Sequence, residues 1–287
     1  MTFSIVAWDG DASPSPEWGV AVASKFLGVG AAVPWARAGA GAIATQALAN
    51  LSYGPDGLEL LEAGADASSV VGELTAADPE REHRQVGVVD AGGRAATFTG
   101  SECFDWAGGR TGSGYSCQGN ILTGPDVVDA MAAAFEGAGG ALAGRLLAAL
   151  RAGDSAGGDR RGRQSAALMI AREGGGYGGG IDRAVDIRVD DHTDPVAELV
   201  RLYELHRLYF PRPDDLEFVE VDERLADELR ALLRARGYEP RDSSGAYDEG
   251  LRSSLYAYMG TENLEERWAD DARIERKVLE HLRTHDL

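Results

Sequence analysis

Lysine is almost absent from this chain: of 28 basic residues only Lys25 and Lys277 are lysines, the others arginine. Basic residues are in turn outnumbered by 47 acidic ones, which leaves a formal net charge of −19. A surface of that sign repels a phosphate backbone, so no nucleic-acid partner is expected. Cysteine is scarce too. Cys103 and Cys117 are the only two, which argues against a disulfide framework. The five histidines fall into no ligand-spaced group with Cys or Asp, so no metal and no other cofactor is expected. Long apolar runs are missing as well. Each is broken by Gly, Arg or Asp before it could span a bilayer, and no basic segment followed by an apolar one opens the chain. The expectation is a cytoplasmic protein with no membrane partner and a small-molecule substrate.

What is present is ample core material. With 287 residues and 44% hydrophobic content, the chain can build one large domain and a smaller appendage. Short segments rich in Val, Ile and Ala, separated by Gly, Pro and Asp, predict strands over Phe3–Trp8, Gly19–Ser24, Leu27–Val33 and Gly41–Gln46. Helices are expected from Pro55 and over Ala67–Ala76, then strands over Arg84–Val89 and Arg94–Thr99. A Gly-rich passage from Gly100 to Gly124 leads to a second helix pair, Pro125–Phe135 and Ala141–Ala152. Leu142, Leu146, Leu147 and Leu150 give the latter a core-facing stripe. Strands Ala166–Ala171 and Ala184–Val189 and a helix over Val196–Tyr209 complete the series.

Helices arriving in pairs between groups of strands do not follow the βαβ rhythm of a parallel sheet. They predict an α+β fold: a four-layer α-β-β-α sandwich with helix pairs outside mainly antiparallel sheets. After Phe210 the composition changes. Residues 211–287 hold four of the 38 glycines and are dense in Glu, Asp, Arg and Leu. Helices are expected from Asp222 to Arg236, over Tyr247–Met259 and over Leu264–Leu282. The chain therefore reads as residues 1–210 and a small, mostly helical domain, 211–287.

Thr2 follows Met1 directly. Aminopeptidase removal of Met1 would leave a threonine whose α-amine, with a reference pKa of roughly 7.7–8.0, could take the proton of its own hydroxyl. Strand Gly19–Ser24 would return beside Thr2 and deliver Lys25 near it. The loop Gly157–Ser165 is the second candidate. Gly157 and Gly158 can present backbone N–H groups to an oxyanion, while Asp159, Arg160, Arg163, Gln164 and Ser165 supply hydrogen-bonding capacity. Arg160 or Arg163 could clamp a substrate carboxylate. Asn120 could donate to an oxyanion, or serve only as a turn residue.

Thr2-Phe-Ser-Ile-Val, Gly19-Val-Ala-Val-Ala-Ser-Lys25, Val33-Pro-Trp-Ala36, Ala44-Thr-Gln46, Gln118-Gly-Asn120, the run from Gly157 to Ala166 and Val189-Asp-Asp-His192 together resemble one microbial family of unknown function. That family is placed in the N-terminal-nucleophile hydrolase superfamily, with proteasome subunits as distant relatives. The resemblance spans roughly residues 2–209 and implies hydrolysis of an amide-type bond by Thr2, with Lys25 lowering the amine's pKa or stabilising charge. The C-terminal segment weakly resembles a peptidoglycan-binding helical module; its other reading is an oligomerisation or lid element, and a homo-oligomer is expected. The alternative for the whole chain is a non-catalytic ligand-binding or assembly protein on the same fold.

Overall fold

A computed structural model describes residues 2–240 and 247–284; Met1 lies outside the described residues. The chain divides into two units, Met1–Arg201 and Leu202–Leu287. Elements of the first are β1 (Thr2–Asp9), β2 (Glu17–Ser24), β3 (Pro34–Arg37), β4 (Gly41–Ala47), α1 (Tyr53–Glu62), α2 (Ala67–Ala77), β5 (Arg84–Asp90), β6 (Ala95–Thr99), β7 (Gly108–Gly112), β8 (Tyr115–Asn120), α3 (Asp126–Gly137), α4 (Leu142–Ser155), β9 (Ser165–Ala171) and β10 (Arg183–Val189). The division falls within α5 (Pro195–Tyr209).

Six strands form one antiparallel sheet in the order β10-β9-β2-β1-β8-β7, and four form a second in the order β3-β4-β5-β6. Strand β1 is buried on both faces from Thr2 to Ala7, in keeping with a run from Phe3 to Ala7 that only Ser4 interrupts with a polar side chain. Its alternate residues divide the work. Val6 joins Val20, Val22, Ala42, Ala44 and Val89 in an apolar layer between the two sheets. Phe3, on the opposite face, approaches Gly153 and Gly158 at the end of α4. Helices α3 and α4 pack on the six-stranded sheet. Helices α1 and α2 pack on the four-stranded sheet through Leu58, Leu61, Val70 and Leu74 against Ile43, Val86 and Val88.

Two expectations differ from the structure here. Residues 27–33 are not a strand: Gly28 takes a left-handed conformation at φ 64° and its N–H bonds to Asp190 O, turning the chain into a 3-10 turn over Val29–Ala31. The strand lies instead at Pro34–Arg37. The Gly-rich passage contains β7 and β8. Glycine weakens the strand signal because it brings no side chain to pack, yet β8 is fully buried beside β1.

A buried carboxylate lies beside the start of β5, an inner strand of the four-stranded sheet. Asp78 accepts from Asn50 Nδ2, Tyr53 OH and Arg84 Nε, each at 3.0 Å, and from Glu80 N at 2.8 Å. Burial acts to raise its pKa, but the bonds from Asn50, Arg84, Glu80 and Tyr53 together hold it well below the usual carboxylate range. The same pairing, with burial as the larger cause, pushes the Tyr53 phenol up. A depressed folded pKa contributes stability that is present above the unfolded value near 3.9 and is lost as pH falls toward the folded one. Between pH 5 and 3 the denaturation midpoint of Asp78→Asn should therefore fall less than that of the parent protein. Parallel midpoint-against-pH curves would contradict this assignment.

The second unit comprises the end of α5, β11 (Phe218–Glu220), α6 (Glu223–Ala235), α7 (Glu249–Thr261), β12 (Arg273–Glu275) and α8 (Arg276–Thr284). Asp222 and Asp248 cap α6 and α7 by accepting from Leu225 N and Leu251 N, as N-cap carboxylates do. Leu229, Leu233, Leu251, Leu255, Val278 and Leu282 form its core. The single helix expected over Leu264–Leu282 is interrupted, because Arg273–Glu275 pairs with Phe218–Glu220 as a two-stranded ribbon.

Candidate functional site

At one end of the layer between the sheets, valines give way to amides. Thr2 and Ser4 on β1, Gln46 on β4, Gln85 on β5, and Ser116, Gln118 and Asn120 on β8 are all buried. Strand periodicity puts them on one face of each strand, because residues two apart share a face. The Ser116 hydroxyl donates to Gln118 Oε1 at 2.8 Å, Gln118 Nε2 to Ser4 Oγ at 2.6 Å, and Ser4 Oγ to Gln46 Oε1 at 2.7 Å. Gln46 Nε2 then donates to Gln85 Oε1 at 2.8 Å, and Asn120 Nδ2 reaches the same oxygen at 3.0 Å. Gln85 Nε2 ends the chain on Gly119 O at 2.8 Å and Thr99 Oγ1 at 2.9 Å. Gly87 makes room for this: a Cβ there would lie 2.1 Å from Gln118 Oε1.

Thr2 sits at the head of this cluster, only 5% exposed. It pairs with Asn120 across β1 and β8, and its Oγ1 lies 3.1 Å from Ser24 Oγ at the end of β2. Ser24 also lines a cleft of about 490 Å³ with Phe3, Asp154, Asp159 and Arg163. The Thr2 side chain thus stands one hydroxyl away from an open cavity.

The structure gathers much of the expected loop at this cleft. Gly157, Asp159 and Arg163 line it. Arg163 Nε donates to Asp154 Oδ1 at 2.8 Å, a bond that raises the guanidinium's pKa further and keeps it charged. Asp159 is buried and accepts from Lys25 N at 2.7 Å and Arg161 N at 2.8 Å, tying the ends of β2 and this loop together. Gly157 and Gly158 adopt φ of 115° and 50°. Their N–H groups are spent on Asp154 O and Gly153 O at the end of α4, at 3.2 and 3.1 Å.

The remaining expected residues lie elsewhere. Lys25 Nζ is exposed and bonds to Arg163 O at 3.3 Å. Arg160 is exposed, its N–H on Ile121 O. Gln164 Nε2 donates to Asp191 Oδ1 at 3.1 Å. Ser165 is buried; its Oγ accepts from Val29 N and donates to Phe26 O, so it holds the β2–β3 connection. Asn120 uses Nδ2 on Gln85. Neither cysteine competes as a nucleophile: burial pushes both thiols up, and Cys117 is wholly buried. Among the described residues no group of His, Cys, Asp or Glu is arranged to hold a metal ion.

Sequence reasoning missed Ser24, Ser4, Gln46 and Gln85 as members of the site. Their signal is a polar residue on the same face as buried apolar ones near a strand end, as in Ala42-x-Ala44-x-Gln46 and Gln85-x-Gly87-x-Val89. Such a residue needs a partner from a facing sheet.

A family described as "Family of unknown function (DUF1028)" matches residues 2–199, and one described as "Putative peptidoglycan binding domain" matches residues 209–282. Among solved structures, the chain is similar to protein SPO2555 from Silicibacter pomeroyi, itself assigned to DUF1028. The two are 33% identical over 72% of this chain and 89% of that one, with a TM-score of 0.65. Comparison with curated proteins gives no match. In the described residues no helix is long and apolar enough to cross a membrane. With most of its length matched from residue 2 to residue 199, the chain belongs to the DUF1028 family.

Proposed function

We propose that the first unit is a four-layer α-β-β-α sandwich of the N-terminal-nucleophile type, and that it hydrolyses an amide-type bond of a small polar substrate. The observation that carries this reading is the contact of Thr2 Oγ1 with Ser24 Oγ, at the wall of a polar cleft and at the start of a central strand. Once Met1 is removed, the Thr2 amine takes the hydroxyl proton and Oγ1 attacks the substrate carbonyl. The tetrahedral intermediate collapses to an ester on Thr2, and the leaving amine departs with the proton. Water then attacks the ester, giving up a proton to the Thr2 amine, and Oγ1 leaves reprotonated. Ser24 supplies the hydroxyl in contact with the nucleophile. Gly157 and Gly158 do not supply the oxyanion donors in this arrangement, since their N–H groups close the end of α4. Arg163 and Asp154 face the cleft as an ion pair and favour a substrate bearing polar groups of both signs.

The test begins with the intact mass of protein purified from cells. A mass lower by one methionine should be accompanied by turnover of some member of a panel of small amides. Thr2→Ala should reduce that turnover by at least about a thousand-fold, the scale lost when a covalent nucleophile is removed. Full mass, in a host with working aminopeptidase, would sink the mechanism.

A second reading is favoured by one feature: Thr2 is almost wholly buried and is not itself among the residues lining the cleft. On that reading the cleft binds a polar ligand without cleaving it. Ligand binding that survives Thr2→Ala, with no turnover by a processed parent protein, would select it.

A further inference from the structure

We infer that Gln85 and Asn120 orient the N-terminal amine of Thr2, with Asn120 Oδ1 as its acceptor. This rests on the reading of Thr2 as the processed first residue.

Hydrogen-bond direction fixes which way both side-chain amides face. A backbone carbonyl can only accept. Gly119 O, 2.8 Å from the Gln85 amide, and Gly108 O, 3.2 Å from it, therefore require that end of the side chain to be Nε2. Gln85 Oε1 is then the end that meets Gln46 and Asn120, and both must donate to it. Asn120 is turned with Nδ2 toward Gln85 and Oδ1 away. Among the described residues nothing donates to that oxygen. Asn120 is the cross-strand partner of Thr2, and paired residues of an antiparallel ladder project from the same face with Cβ atoms about 5 Å apart. An amine created at Thr2 N brings new donors beside an acceptor already aimed by two buried glutamines. Asn120 is a positioning residue in this scheme. By holding one N–H, it turns the amine's lone pair toward Oγ1.

The surroundings are otherwise neutral. Ser4 from β1, Ser24 from β2, Gln46 from β4 and Gln118 from β8 carry no charge. The charged groups at this end of the sheets have other partners: Asp159 with Lys25 N and Arg161, Lys25 Nζ with Arg163 O, Arg163 with Asp154 at the cleft, and Arg84 with Asp78 and Glu80.

The test measures the pH at which the Thr2 amine is half-labelled by acetic anhydride, read by mass spectrometry of the N-terminal peptide of the folded full chain. Asn120→Asp places a carboxylate where the acceptor was and should raise the midpoint by about one pH unit. Asn120→Ser withdraws the acceptor and should lower it. Gln85→Met releases the Asn120 amide to rotate and should also lower it. If Asn120→Asp does not fold, the downward shift in Asn120→Ser still decides the matter. Midpoints unmoved in the folded Asn120 variants would overturn the inference while leaving Thr2 as a processed residue. Retention of Met1 in the intact mass would overturn the reading of Thr2 itself, and this assignment with it.

Discussion

Arg267→Ala should destabilise the C-terminal unit by about 3–5 kcal/mol, the range for stranding one partner of a buried ion pair. Arg267 and Glu275 are each 1% exposed, with Nη1 2.8 Å from Glu275 Oε2. Beside this ion pair the guanidinium donates Nε–H to Leu208 O at 2.6 Å and Nη2–H to Arg207 O at 2.8 Å, so it binds the last turn of α5 to β12. Alanine would leave a buried carboxylate without its counter-charge and two carbonyls without their guanidinium donors. Hydrogen exchange across residues 202–284 should quicken in the variant, because the lowered stability admits more frequent opening. Unchanged protection would show that water replaces the arginine at little cost. The double variant Arg267→Met with Glu275→Leu should regain most of the loss, since a buried pair exchanged for apolar side chains is often near neutral. It should not regain all of it. Glu275 Oε2 also accepts from Lys277 N and Val278 N at the start of α8, and losing that cap costs on the order of 1 kcal/mol.

This clasp explains one way in which the sequence misleads. Ile274, Val278 and Leu282 recur at helical spacing, so residues 264–282 read as one helix. The recurrence is real, but Arg273–Glu275 finds strand partners in Phe218–Glu220 some fifty residues earlier in the chain, a pairing no local pattern reveals. The first unit was more legible. Its paired helices announce their apolar stripes, and β1, β2, β5 and β9 carry short stretches rich in Val, Ile and Ala. Thr2, Asp159 and Arg163 could be singled out because their chemistry is local: a hydroxyl beside an N-terminus, and charges in a glycine loop. That they approach one cleft through Ser24 depends on the antiparallel return of β2 and on the hold of Asp159 on Lys25 N. Gly157 and Gly158 illustrate the opposite case. Their conformational freedom is visible in the sequence, but the use made of it, closing α4, is a tertiary outcome.

Gln85→Leu should cost about 3–5 kcal/mol by urea denaturation, well above Ser116→Ala at about 1–2 kcal/mol, though the two substitutions delete polar groups from one network. The difference follows from position. Ser116 is the first donor of the chain of hydrogen bonds, and its loss leaves only Gln118 Oε1 without a partner. Gln85 is where the branches meet. Leucine there would leave Asn120 Nδ2 without its acceptor and Gln46 Nε2 with only its longer contacts to Thr2 O and Gln118 O, and would take the Gln85 donor from Gly119 O and Thr99 Oγ1. Each buried group so stranded carries a penalty of roughly 1–3 kcal/mol, only partly offset by the apolar surface that leucine adds. Similar costs for the two variants would mean that the network is hydrated and its members act separately. A much larger cost for Gln85→Leu would make the amides one cooperative unit. In that case the acceptor beside Thr2 is held by the packing of both sheets, since Gln85 reaches it from β5 and Thr2 starts β1.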